Sequence, residues 1–292
     1  MMDLKRILVA INSPNGRDAA FERALLLARS SGAELYLLHA VPADQPFSFR
    51  AAERLERMVD MRQRTEDAGV RVQTVEQHGD PAEIIELHAN TRGVDLIVMG
   101  SEVRRGWRSQ RSLVAEKVIR RMEVPTLVVA SHASESPTAF ENVVVAVDLS
   151  PASKDVLRAA IGLTAAEAAQ LTVMHTVEAV EAADAVQSPA RWKVPEFRAH
   201  VLEDARRTLE VLVSEVRPDV DTRVQVSAGS AARTILEHAT DVDADLVVVG
   251  RSRGFKLLGS TARRVLRKND RALLVIPSAA HRTSQVERQR AA

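Results

Sequence analysis

One stretch of this chain occurs twice. The run from Arg6 to Asn12, RILVAIN, returns 136 residues later as NVVVAVD, from Asn142 to Asp148. At the same offset His39 meets His175. Ala20, Ala24 and Leu27 meet Val156, Ala160 and Leu163, an apolar stripe at helical spacing in both places. Further on the offset widens to 150, pairing Gly79 with Gly229, Ile85 with Ile235, His88 with His238, and DLIVMG (95–100) with DLVVVG (245–250). It then narrows to 147, where Leu127 and Val128 match Leu274 and Val275. An offset that steps while the segments stay alike means one core built twice, with length changes confined to loops. The second copy gains 14 residues before its third strand and loses 3 after its fourth.

Within each copy, short continuous runs of Val, Ile and Leu alternate with helical stripes. In the second copy the expected strands lie near 142–148, 171–177, 221–227, 245–250 and 272–276, and the helices near 151–168, 196–216, 230–241 and 260–269. Strands apolar on both faces need helices on both sides, and strict alternation needs right-handed crossovers. The fold class is therefore α/β, two tandem doubly wound open sheets of Rossmann-like type, each with five mainly parallel strands. Asp80-Pro81, Ser150-Pro151 and Ser230 read as helix caps. The division is 1–130 and 141–278 for the two units, with a linker over 131–140 containing Ser134, Ser136 and Pro137, and a tail over 279–292 without periodicity.

Composition removes several classes of function. The absence of cysteine excludes disulfides, thiolate zinc sites and thiol catalysis. With 40 Lys and Arg against 39 Asp and Glu, the chain carries no basic excess to point to nucleic acid. No run approaches the ~20 apolar residues of a membrane span, and none at the start reads as a signal segment, so the expected location is the cytoplasm. The paired histidines, His39 with His175 and His88 with His238, each stand alone among apolar residues, without a partner at ligand spacing, and read as structural. The charged run from Arg50 to Arg64 alternates in sign and reads as the solvated face of a helix.

In a doubly wound sheet a ligand sits at the carboxyl ends of the strands, where strand order reverses. In the second copy three segments converge there: Asp148, the pair Thr176-Val177, and the stretch Gly250-Arg251 through Arg253, Gly254 and Gly259 to Ser260 and Thr261. Glycines let a backbone approach an anion closely, and the amides opening the following helix point at it with a favourable dipole. This last stretch resembles the phosphate loop of the universal stress protein family, G-x2-G-x9-G-[ST], and the apolar strand ending in Asp148 resembles the family's first strand. The resemblance covers the chain once in each half, in the manner of tandem members.

The resemblance implies an adenine-nucleotide α-hydrolase-like fold and a stress-response protein that binds ATP, ADP or AMP, with magnesium for the triphosphate. Asp148 would contact the nucleoside and Thr176 the base. Gly250, Arg251, Arg253, Gly254, Gly259, Ser260 and Thr261 would surround the phosphates. Since single-domain members dimerise through their last strands, it also implies an intramolecular pseudo-dimer, with 124–129 beside 272–276, that can pair again as a homodimer. Two departures stand out. Only eight residues separate Gly250 from Gly259, four fewer than in the family pattern, with Arg251 and Arg253 available to add charge. The first copy carries Asn12 in place of Asp and Ser112-Leu113 in place of Gly-Ser. A second reading, of another class, is a nucleotide-free scaffold or a carrier of an apolar, lipid-like ligand under the apolar excess within 178–195. No nucleophile, paired-carboxylate or metal constellation points to an enzyme.

Overall fold

The apolar runs are strands: β1 (Arg6–Ile11), β2 (Glu34–Val41), β3 (Val72–His78), β4 (Leu96–Ser101) and β5 (Thr126–Ala130) in the first half. The second half supplies β6 (Asn142–Ala146), β7 (Gln170–Val177), β8 (Thr222–Ala228), β9 (Leu246–Gly250) and β10 (Ala272–Ile276). Between them lie helices α1 (Ala19–Ser31), α2 (Ala51–Asp67), α3 (Pro81–Arg92) and α4 (Gln110–Arg121), then α5 (Ser153–Thr164), α6 (Val194–Val216), α7 (Ala231–Asp241) and α8 (Ser260–Lys268). The computed structural model describes residues 3–11, 18–42, 51–101, 110–130, 139–178, 194–216, 220–251 and 258–277. Most of the expected linker, the tail, and 179–193 within the apolar excess lie outside the described residues.

The two sheets are one. The strand order is β3-β2-β1-β4-β5-β10-β9-β6-β7-β8, ten strands without a break. Pairing is parallel within each half and antiparallel at the join, where Leu273 faces Val128, Leu274 faces Leu127 and Val275 faces Thr126. The last strands thus lie side by side, as the family resemblance implies. One core, on the side of α1, α2, α5 and α6, runs across both halves through Leu127 and Leu274. The other, under α3, α4, α7 and α8, does so through Val128, Leu273 and Val275.

The repeated residues have local jobs. Asp95 Oδ2 accepts the amides of Lys5 and Arg6 at 2.8 and 2.9 Å, tying the start of β4 to β1. Asp245 does the same for Glu141 and Asn142 at 2.7 and 2.9 Å. Gly79 and Gly229 follow β3 and β8 at φ 148° and 137°, where a side chain would be strained. Asp80 caps α3 as expected, accepting from the amides of Ala82 and Glu83.

Other cap expectations need correction. The helix expected over 151–168 starts at Ser153, without a side-chain cap from Ser150, because Asp148 takes the Ser150 amide into a turn of its own. It gives way to a 3-10 turn at Ala165–Glu167, which Ala168 ends at φ 52°. Ser230 occupies the cap position of α7 but its hydroxyl makes no capping bond; the Glu178 carboxylate accepts the Ala231 amide instead, at 3.0 Å.

Beyond the strand pairing, a buried ion pair joins the halves. Arg23 on α1 donates to both oxygens of Glu167 at 2.7 and 2.6 Å, with side-chain exposures of 3% and 11%. The Arg23 guanidinium also lies 3.4 Å from the centre of the Phe140 ring, and the Phe140 amide donates to Glu167. Phe140, assigned to the linker on sequence, is core. Removing one member of such a pair leaves a buried charge alone, at about 3–5 kcal/mol. Arg23→Met should therefore lower unfolding free energy in urea by about that much. The double variant Arg23→Met/Glu167→Gln, which keeps an acceptor for the Phe140 amide, should recover most of it. Equal losses from the single and double variants would show that packing of Arg23, not its charge, holds the join.

Candidate functional site

The order β8-β7-β6-β9-β10 reverses direction between β6 and β9, and the crevice opens there. A cavity of about 680 Å³ lies at their carboxyl ends, within the range of small-molecule sites. Asp148, Thr176, Gly250, Arg251, Gly259, Ser260 and Thr261 all line it, so the described members of the sequence-derived set share one space. Arg253 and Gly254 lie outside the described residues. Val147, Val156, Met174, Val177, Ile235 and Ile276 give part of the wall its apolar character.

Asp148 belongs to the turn after β6. Its Oδ1 accepts the Ser150 amide at 3.0 Å and the Ser153 hydroxyl at 3.1 Å. Partial burial pushes its carboxyl up, but the hydrogen bonds from Ser150 and Ser153 outweigh this and hold it below the ordinary carboxylate range. It is an anion at neutral pH with lone pairs left for a donor. The next residue, Leu149, has φ 58°, a left-handed backbone that costs a leucine of order 1 kcal/mol. That strain sits in the turn that carries Asp148 to the cavity. Behind it the His175 ring donates from Nδ1 to the Val147 carbonyl at 2.9 Å, which fixes the ring at the cavity wall.

Gly259 caps α8 with extended backbone and no side-chain cap. The opening amides of α8 therefore have no intrahelical acceptor and border the cavity at Ser260, Thr261 and Ala262. At Gly250 a β-carbon would come within 3.0 Å of a Val156 methyl, so the end of β9 and α5 are in close contact.

Arg251 departs from the expectation. Its guanidinium is turned toward the first half, where Nη1 donates to the carbonyls of Ile119, Arg120 and Met122 at 2.8, 3.0 and 2.9 Å. Nη2 donates to Glu123 at 2.8 Å. These acceptors engage both Nη groups and hold the charge anticipated for a phosphate against the first half. Glu178, which sequence reasoning did not single out, borders the cavity and caps α7. A glutamate ending a strand carries no distinctive sequence signal.

Asn12 and 104–108 lie outside the described residues. Where α2 covers β2 and β3, Arg54 is buried and its guanidinium meets Glu76 at 3.2 Å, next to His39 and His78. Arg54 is thus not part of a solvated face; helical charge alternation does not reveal which residue turns inward. Among the described residues no cluster of His, Asp and Glu could hold a metal ion, and no helix is long and apolar enough to cross a membrane.

The sequence model of the universal stress protein family matches residues 3–130 and again 139–277. Universal stress protein Sll1388 of Synechocystis is 30% identical over 152 residues, spanning 47% of this chain and 97% of that protein. YxiE of Bacillus subtilis, also a universal stress protein, is 28% identical over 144 residues, 42% of this chain and 97% of its own. A crystal structure of a universal stress protein from Archaeoglobus fulgidus shares the fold over 96% of this chain and 98% of its own, with a TM-score of 0.69 at 18% identity.

The first-half cluster has a consequence for pH. Burial, before any charge, pushes the His39 pKa down; Glu76 opposes this, while Arg54 and His78 reinforce it. A depressed folded-state value means that stability is present above the unfolded value of about 6.5 and is lost as pH falls through the folded one. Unfolding free energy should therefore decline on acidification below about pH 6.5, and His39→Gln should flatten that decline. Denaturation at pH 7 and at pH 5 checks it. An unchanged slope in His39→Gln would assign the loss to other groups.

Proposed function

The chain belongs to the universal stress protein family, once in each half, and from that premise we propose that it is a cytoplasmic stress-response protein that binds an adenine nucleotide in its second half. The first half serves as the internal dimer partner. The observation that carries the reading is the convergence on one cavity of an ionised Asp148 and the free opening amides of α8. A carboxylate can accept from the two hydroxyls of a ribose, and helix amides can donate to a phosphate with a favourable dipole. The apolar wall suits the face of a base.

Charge decides which nucleotide. Of the described ionisable side chains at the cavity, Asp148 and Glu178 are acids and Arg251 points its guanidinium at the first half. Each further phosphate adds negative charge to a space already acidic, and the loop from Gly250 to Gly259 is short for wrapping a triphosphate. The preferred ligand is therefore AMP or ADP, and ATP with magnesium binds more weakly. An apolar, lipid-like ligand would desolvate Asp148 and Glu178 without offering either a donor, which disfavours the carrier alternative. The role is binding, and no residue is assigned a catalytic one.

Calorimetric titration with AMP, ADP and ATP at fixed magnesium tests this. AMP or ADP should bind more tightly than ATP. Asp148→Asn should weaken AMP roughly ten- to a hundredfold, the range for losing a hydrogen bond to a charged group. Gly259→Val should block backbone approach to the phosphate with the fold intact. Submicromolar ATP binding well above ADP would overturn the preference, and an unresponsive Asp148→Asn would overturn the site.

A further inference from the structure

The residue after β9 and the helix α8, which both border the cavity, are fastened to the same helix of the other half. Arg251 follows the last residue of β9, and its amide donates to the Ile276 carbonyl at 2.7 Å. Its guanidinium then caps the carboxyl end of α4, taking carbonyls that the helix itself cannot satisfy at the negative end of its dipole. Beyond the loop, Arg267 of α8 donates to Glu116 of α4 at 3.0 Å, and Arg263 lies 3.9 Å from the same carboxylate. Glu116 is only 15% exposed, and the Arg251 side chain 9%. The position matching Arg251 in the first half is Ser101, which has no guanidinium to send back across the join. Among the described residues, the fastening runs from Arg251 and α8 of the second half to α4 of the first.

We propose that Arg251 is a positioning residue, and that α4 of the first half is the platform on which the phosphate end of the second half's cavity is held in its binding geometry. The first half then contributes to ligand affinity without touching the ligand. Residues at the end of β9 and the start of α8 that are held in place before binding do not bear the ordering cost at the moment of binding, and affinity for the group they contact rises accordingly. Contacts made through Asp148, in the turn after β6, do not depend on this fastening. The proposal takes its ligand from the nucleotide reading, but the fastening can also be tested without one.

The test uses the full chain with Arg251→Ala and Arg251→Lys, titrated with ADP and with adenosine. Arg251→Ala should weaken ADP about tenfold, with adenosine nearly unchanged. Arg251→Lys keeps the charge but loses the planar fork that meets several acceptors, so it should recover ADP affinity only in part. Amide hydrogen exchange should quicken over 258–262 in Arg251→Ala. Unchanged ADP affinity, or equal losses for ADP and adenosine, would overturn the proposal even if the variant melts earlier, because either result describes an interface residue only. If the wild-type chain binds neither ligand, the nucleotide reading fails by itself. Exchange over 258–262 then decides the fastening, which stands if Arg251→Ala accelerates it and falls if exchange there is unchanged.

Discussion

The antiparallel pairing of β5 with β10 is the constraint on which the rest of the molecule hangs. Both strands are apolar on both faces, and Thr126, Leu127, Val128, Leu273, Leu274 and Val275 are all 0–2% exposed once paired. Either strand left at an edge would offer a flat, hydrophobic row of unpaired amides and carbonyls, a template for aggregation. Their register decides more than adhesion. Leu127 opposite Leu274 puts both side chains into one core, and Val128 opposite Leu273 puts both into the other. A slip by one residue would exchange the faces and break both cores at the join. The edges that remain, β3 and β8, carry Gln73, Glu76 and Gln77, and Thr222, Arg223 and Gln225, a mixture that resists pairing with another chain.

That pairing also turns the helices so that α4 and α8 meet across the join. The contacts across the join at the cavity's edge follow from it. Glu116 can take Arg267 from the other half, and the carboxyl end of α4 comes within reach of Arg251. On the opposite layer the same geometry brings α1 to the 3-10 turn, so that Arg23 reaches Glu167 and Phe140. These long side chains bridge the halves after the sheet has set the distance between them. None could set it alone, since a buried ion pair gains little net energy over an apolar pair of similar volume.

The sequence made the repeat, the strands and the order of elements legible because those rest on local periodicity and on self-comparison. Asp245 repeating Asp95, and Gly229 repeating Gly79, marked positions that the fold uses in the same way twice. The residues lining the cavity were legible for a similar reason, since strand ends and helix starts are written locally. What stayed hidden was the direction of long charged side chains. Arg251 sits in the middle of a loop motif, and nothing near it in sequence announces an acceptor group some 130 residues away. Arg54 is one arginine in a helix full of them, and only the position of Glu76 on β3 distinguishes it. Phe140 reads as the end of a linker because its partner, Arg23, lies far upstream. Such contacts depend on tertiary distance, which periodicity does not encode.

Fusion of the two halves matters to this asymmetry. In a symmetric dimer of identical chains, an arginine at the loop root would recur in both subunits, and each α4 would be platform and partner at once. Both loops would then be fastened, or neither. A single chain removes that restriction. The second half keeps Asp148, Gly259 and Ser260, and gains Arg251 where the first half has Ser101. The first half, with Ser112 where the second has Gly259, presents Glu116 of α4 and Glu123 just after it as acceptors for the other half's arginines. Arg251, Arg263 and Arg267 of the second half meet Glu116 and Glu123 of the first, and an exchange of either side alone would set like charges against each other. The charge pattern at the join thus pairs the two diverged copies in one orientation while the shared sheet holds them in one body.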